Sequence, residues 1–340
     1  MKFLFQPLIT QQWVRWVIYP LLFIFVYFKL SSFSAAQDFY NGFEIDHPLV
    51  DIRKIEPGGP ARDGIPALSF PQFIKPDEAK FLNAEDVILG LSLNSIHKAY
   101  PVKILNWHEL VNDRFGDDSV VVSFCPLCGT GMAFLSKIDQ QTYTFGVSGL
   151  VYNSNVLFYD RETESLWSQV LGKAISGSTQ GKRLKMLPLT QTTWHMWLEE
   201  HPETLVLSQD TGYSRDYSVN PYEGYDKSRA IYFSIGEQNQ KYHPKELVVG
   251  VKFNGIQKAY PFAELSKGQS PLVDTVGNKS FTVEFDAARK SATVLDQNGD
   301  IYPSVITYWF AWYAFYPQGE IFHANGRRGL AQDTTEKNKL

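Results

Sequence analysis

One stretch of fifteen residues occurs twice in this chain, and the repetition constrains the fold more than any other feature. Val87-Ile-Leu-Gly-Leu-Ser-Leu-Asn-Ser-Ile-His-Lys-Ala-Tyr-Pro101 returns as Leu247-Val-Val-Gly-Val-Lys-Phe-Asn-Gly-Ile-Gln-Lys-Ala-Tyr-Pro261, at a constant offset of 160. Each copy reads as an apolar strand, a two-residue turn and a second strand. Asn254-Gly255 is a strong type I′ signal, and Asn94-Ser95 is its weaker counterpart. Pro101 and Pro261 then permit a short helix, expected over Val102 to Val111 and over Phe262 to Ser266. With one added residue the match continues, placing Gly116 on Gly277 and the strand Ser119–Phe124 on Ser280–Phe285. The expected fold class is α+β, β-rich, built on a duplicated β-hairpin/short-helix module with a few further helices. A period this long does not suggest a solenoid.

The boundaries follow from the repeat. Residues 86–240 are expected to form the first module and 241–330 the second. Residues 37–85 are then an N-terminal extension and 331–340 a disordered tail. Between the copies, Thr144–Asp160 reads as one or two strands, Arg161–Ser165 as a turn and Leu166–Val170 as another strand. Gln191–His201 reads as a helix with a threonine cap, stopped by Pro202. Tyr213–Lys241 is polar and turn-rich, a surface excursion or link. Val305–Tyr316 is apolar all round and too short to cross a bilayer, so a buried element is expected.

A hydrophobic content of 44 %, with 24 Phe, 18 Tyr and 8 Trp, supplies ample core. The net charge of −4 gives no basic footprint, so no nucleic-acid partner is expected. The N-terminus is different in kind. Lys2 and Arg15 precede the apolar run Trp16–Phe28, and small residues follow at Ser34 and Ala36. Residues 1–36 therefore have the outline of a signal peptide or membrane anchor. The run of 13 residues makes about 20 Å of helix against a hydrocarbon core of about 30 Å. It spans only if extended toward Ala36 with Lys29 snorkelling. Either reading expects a periplasmic protein, or one held in the inner membrane by its N-terminal segment and facing the periplasm.

The two cysteines of the chain stand together in Ser123-Phe-Cys-Pro-Leu-Cys-Gly-Thr-Gly-Met132. Two glycines in the next three residues argue against the helix that a thioredoxin-like motif would open. Strand, Cys-Pro-Leu-Cys-Gly, strand is instead the outline of a metal knuckle, with Gly129 at positive φ. The second copy carries Asp286-Ala-Ala-Arg289 at this place, and Gly268 where the first has His108. The joint loss of Cys125, Cys128 and His108 groups these three as candidate ligands of one transition metal, Zn or Cu. His323, His97 and Met132 are possible extra ligands, the thioether suiting Cu(I). A vacant position at such a site would permit catalysis. Tyr152, Asn153 and Asn155 are candidates to line a pocket near the thiols, although Asn and Ser in a strand also mark a bulge or an edge. Two alternatives stand beside the metal site. One is a periplasmic thiol–disulfide oxidoreductase, since an oxidising compartment tends to oxidise a free thiol pair. The other is a non-enzymatic binding or scaffolding module.

Asn106-Trp-His-Glu-Leu-Val-Asn112, Cys125-Pro-Leu-Cys-Gly-Thr130, Phe145–Asn155, Leu166-Trp-Ser-Gln169 and Thr192-Thr-Trp194 together resemble the bacterial domain of unknown function 3179. The resemblance covers roughly Asp86 to Phe322 and implies a bacterial, exported protein. It brings no activity and no ligand set.

Overall fold

The computed structural model describes residues 40–324 and the backbone of Gly329–Leu330. The expected signal or anchor and the expected tail lie outside the described residues.

The first copy of the repeat begins with β1 (Val87–Leu93) and β2 (Ile96–Pro101), paired antiparallel with Gly90 opposite Ala99. Asn94 and Ser95 both take positive φ, 53° and 59°, as a type I′ turn requires. Helix α1 (Val102–His108) follows directly on Pro101. Three further antiparallel strands complete the unit: β3 (Leu110–Phe115), β4 (Asp118–Cys125) and β5 (Thr130–Leu135). The expected helix to Val111 is too long. Glu109 takes a left-handed φ of 57°, which closes α1 after His108 and turns Leu110 into β3.

An insertion follows in the first copy. Strands β6 (Phe145–Tyr152), β7 (Asn155–Asp160), β8 (Leu166–Ser168) and β9 (Lys173–Ser176) join the short strand Ile55–Pro57 in one sheet. A bulge lies between Val147 and Leu150, and Asn153-Ser154 forms the β6–β7 turn with φ of 52° and 60°. Strand β10 (Lys185–Leu187) then pairs with β5. The chain returns through β11 (Thr190–Thr193), α2 (Trp194–Glu200) and β12 (Leu205–Leu207). The helix expected from Gln191 thus starts three residues later, because Gln191–Thr193 pair with β1. Thr193 is the cap residue, but its side chain makes no capping bond.

The second copy repeats the order: β13 (Leu247–Phe253), β14 (Ile256–Pro261), α3 (Phe262–Leu265), β15 (Leu272–Val276), β16 (Lys279–Asp286) and β17 (Ser291–Leu295). It continues through β18 (Ser304–Tyr308), α4 (Trp309–Phe315) and β19 (Glu320–Ile321). The expected buried element Val305–Tyr316 is this strand and helix, with six of the seven α4 residues buried.

The duplication runs further than the repeated stretch. β11 and β18 pair antiparallel with β1 and β13, while β12 and β19 pair parallel with β2 and β14. In each copy a tryptophan of the covering helix lies flat on a glycine of the hairpin, Trp197 on Gly90 and Trp312 on Gly250. A Cβ on either glycine would overlap the indole, so these positions need Gly for close approach. Each copy also buries a lysine of its Lys-Ala-Tyr-Pro segment against an acid of the next strand. Lys98 Nζ lies 2.8 Å from Asp113 and Lys258 Nζ 2.6 Å from Asp274.

Each module has its own apolar core. A third core, with Met132, Trp167, Trp309 and Trp312, joins both to the inserted sheet. Among the described residues no helix is long and apolar enough to cross a membrane.

Candidate functional site

Cys125 ends β4 and pairs with Thr130 at the start of β5, so Pro126–Gly129 form the hairpin turn. Gly129 sits at φ 61° as expected, and the Cys128 N–H closes the turn by donating to the Cys125 carbonyl at 3.2 Å. Both cysteines are free thiols and fully buried.

Three groups of neighbours fix this turn. The second copy clamps it: Tyr308 N–H donates to the Cys128 carbonyl at 2.8 Å, and Thr307 Oγ1 reaches the same oxygen at 3.2 Å. The inserted sheet supplies a buried polar network. Gln169 Nε2 donates to Ser123 Oγ at 2.9 Å and to the Thr130 carbonyl at 3.1 Å, while its Oε1 accepts from Asn155 Nδ2 at 2.7 Å. Asn155 Nδ2 also faces Cys128 Sγ at 3.6 Å. The Cys128 thiol in turn donates to the Ser154 carbonyl at 3.1 Å, a bond that only the protonated form makes. Burial pushes the Cys128 thiol well up, and Cys125 beside it adds to the effect.

The third group is the strap 208–246, which carries little regular structure apart from one turn of 3₁₀ helix, Tyr225–Lys227. Tyr222, Tyr225, Ile231, Phe233 and Ile235 pack with Leu127, Val151 and Phe310 around the thiols. The Tyr225 hydroxyl is buried with no hydrogen-bond partner among the described residues. Lys245 lies against the Tyr225 ring, 3.8 Å from its centroid, and donates to the Ala230 carbonyl at 2.5 Å. Burial brings its ammonium down to about 8, with Cys128 and Asp226 opposing.

Glu109 is a buried acid close to this region, with only 6 % of the residue exposed. Burial alone pushes it up to about 8. Its carbonyl accepts from Phe124 N–H at 2.8 Å, the residue before Cys125. Tyr222 lies within electrostatic reach of both Glu109 and Cys125. A cleft of about 530 Å³ opens alongside, between Phe124 and Gly129 of the first copy and Phe285 and Lys290 of the second, with Lys245 and Tyr308 on its wall.

The expected ligand set does not assemble here. His108 is fully buried, as its place among Ile104 and Leu105 suggested, but both ring nitrogens are engaged elsewhere. Nδ1 meets the Pro66 carbonyl at 2.8 Å and Nε2 the Tyr217 hydroxyl at 2.6 Å. His97 bonds Ser92 Oγ at 2.7 Å and stacks on His201, while His323 lies with Lys241 and Tyr242. Met132 is in the central core. Among the described residues, no three His, Cys, Asp or Glu side chains gather so as to hold a metal ion.

Of the three candidate pocket residues, Asn155 does reach the thiols. Asn153 instead bridges the Ala314 carbonyl and Gly236 N–H, and Tyr152 packs on Phe315. Sequence reasoning missed Glu109, Gln169 and Lys245. The signal for the first two lay in plain view, Glu109 directly after His108 and Gln169 closing Leu166-Trp-Ser-Gln169. Nothing local marks Lys245.

A family sequence model described as Protein of unknown function (DUF3179) matches residues 62–319, more than half of the chain. The chain belongs to this family. Comparison with curated proteins and with solved structures found no match. For this DUF3179 protein, what the site does must come from its own chemistry.

Proposed function

We propose that Cys125 and Cys128 act as a dithiol–disulfide couple in an exported or inner-membrane-anchored protein. The observation that carries this reading is the adjacency of two free thiols at one hairpin tip, in surroundings that treat them differently. Cys128 is tied down as a neutral donor to Ser154, which suits a resolving thiol. Cys125 is then the attacking one. Its thiolate displaces one sulfur from a substrate disulfide, forming a mixed disulfide. Cys128 next displaces the second sulfur and closes the Cys125–Cys128 bond. The loop so closed is small and adds little chain-entropy stabilisation, which favours a working bond over a structural one. An oxidising compartment would supply disulfide partners.

The test is equilibration of the purified protein with glutathione buffers of graded poise, followed by acid quench, alkylation in denaturant and mass spectrometry. A single intramolecular disulfide appearing over a narrow range of poise supports the couple. Thiols that stay reduced at every poise remove it.

A two-coordinate soft cation is the second reading. Two sulfurs on a glycine-backed hairpin suit Cu(I), which needs no third ligand. Zinc fits less well, since a tetrahedral site needs further ligands and His108 would first have to leave Pro66 and Tyr217. Elemental analysis after copper- and zinc-replete expression separates the two readings. About one equivalent of copper that shields both thiols from alkylation favours the metal.

A further inference from the structure

We infer that the cleft between the two copies binds an extended peptide segment of no net charge that carries large apolar side chains. The role of that segment rests on the dithiol reading: it flanks the disulfide that Cys125 and Cys128 reduce. Each turnover converts two protein thiols and one substrate disulfide into one protein disulfide and two substrate thiols.

Matching positions of the two copies line this cleft of about 530 Å³ from opposite sides, and the volume is that of an ordinary ligand pocket. Val87 and Leu247 open the strands β1 and β13, and Val102 and Phe262 open the helices α1 and α3. Phe124 and Phe285 are the next-to-last residues of β4 and β16. Phe124 precedes Cys125 and Gly129 follows Cys128, so one lip is the cysteine hairpin itself. The other lip is the turn after β16, where Lys290 stands in the place of Gly129. Both take a left-handed φ, 61° at Gly129 and 49° at Lys290. Glycine adopts this conformation freely, whereas a lysine kept there is strained, and such strain gathers at working sites.

The polar groups of the wall select the ligand. Gln191 lines the cleft, and its Oε1 is buried with no hydrogen-bond partner among the described residues. Native folds rarely leave a buried acceptor unused. A peptide N–H can donate to it, and the Lys290 ammonium can donate to peptide carbonyls. A hydrocarbon chain offers Gln191 no donor. Two acids, Asp226 and Glu246, offset two lysines, Lys245 and Lys290, so the wall favours neither a polyanion such as a nucleotide nor a polycation. The apolar positions remain, with Val87 42 % exposed, and large apolar side chains of a bound segment would cover them. The strap enters the same wall through Asp226, next to Tyr225, which packs around the thiols. A bound segment therefore touches the cover over the sulfurs.

The probe is a fluorescein-labelled, end-blocked peptide Leu-Phe-Ser-Thr-Val, in which serine stands for the substrate cysteine so that no disulfide can form. Fluorescence polarisation is read with the reduced, intact chain, beside the polar peptide Asn-Gln-Ser-Thr-Gly. The apolar peptide should saturate one site per chain and bind at least about tenfold more tightly than the polar one. Ala287→Trp, at an exposed position of the second lip, fills the cleft and should weaken binding at least about tenfold. Lys290→Gly should weaken it roughly threefold. No saturable binding, or equal binding by native and Ala287→Trp protein, overturns the inference. Should Ala287→Trp not fold, a benzophenone in place of the peptide phenylalanine maps the site on the native protein. Adducts on Val102, Phe285 or Ala287 support the cleft, and adducts confined to other surfaces overturn it. The role of the segment has its own readout. The disulfide dimer of the cysteine form of the apolar peptide should oxidise the native thiols at least about tenfold faster than the polar dimer, and Ala287→Trp should erase the preference. Equal rates for the two dimers, with glutathione still closing the Cys125–Cys128 bond, overturn the substrate role and leave the dithiol reading standing. Peptide binding by a protein that forms no disulfide removes the dithiol reading and supports the cleft as a peptide site.

Discussion

Gln169 satisfies three partners from one buried side chain and is the residue that ties the inserted sheet to the cysteine hairpin. Truncation to Ala removes a hydrogen bond from each of Ser123, Asn155 and the Thr130 carbonyl in a buried interior. Each buried group left unpaired costs about 1–3 kcal/mol. Gln169→Ala should therefore lower the urea midpoint by an amount equal to about 2–4 kcal/mol with an unchanged slope. An unchanged midpoint would mean the network is not formed. Glu109 works on stability in a pH-dependent way. Its folded value, near 8, lies above its ordinary 4.5, so the native state binds more protons than the unfolded chain between these two limits. Stability contributed by the neutral acid is fully present below 4.5 and is lost as pH rises toward 8. Urea midpoints measured over that window should fall more steeply with pH for the native protein than for Glu109→Gln. Parallel curves would contradict the buried-acid assignment. Glu109 also marks a limit of reading sequence. A helix carried on to Val111 by apolar spacing puts Glu109 on a solvated face. The left-handed φ that ends the helix at His108, and turns the carboxyl inward, leaves no trace in periodicity.

At the level of elements, the hairpins were legible because alternation, Asn-Gly or Asn-Ser turns and a terminal proline all agree in both copies. The strand–helix–strand unit that covers each hairpin was not. Thr192-Thr-Trp194 and Thr307-Tyr-Trp309 are its matching starts, at an offset of 115 rather than 160, because the inserted sheet lengthens only the first copy. A search at one fixed spacing passes over them. The glycine under each tryptophan is the element-level test. Gly90→Ala or Gly250→Ala pushes a methyl into an indole that has no room to move, and overpacking of this kind costs about 1–3 kcal/mol. Thermal unfolding of each variant should show the loss, whereas Gly212→Ala, whose Cβ meets nothing within 4 Å, tests φ strain alone at a strap position. The strap is the other element with consequences. It covers two fully buried thiols with few backbone ladders, so reagents should reach them through local opening. Native-state alkylation should be slow beside that of an unfolded control. Tyr225→Ala should speed it at least about tenfold with little change in global stability. Equal rates for the variant and the native protein would place the gate elsewhere.

Across the whole molecule, two copies of one module have divided their labour. The first keeps the thiols, the histidine and the inserted sheet. The second keeps the frame, with Lys258 on Asp274 as Lys98 is on Asp113, and lends Tyr308 and Thr307 to clamp the cysteine turn. That much explains why the frame recurs while the chemistry does not. Sequence located the cysteine pair and its hairpin correctly. It grouped His108 with the thiols, and a histidine on an inward helix face says nothing of which neighbour it meets. Here the neighbours are Pro66 and Tyr217, 42 and 109 residues away in sequence. The most direct measurement is the redox titration of Cys125 and Cys128 in the intact chain, read by alkylation and mass. A reversible two-electron transition to one Cys125–Cys128 disulfide, abolished in Cys128→Ser, is the result a dithiol couple requires. Two thiols that alkylate fully at every glutathione poise would contradict it.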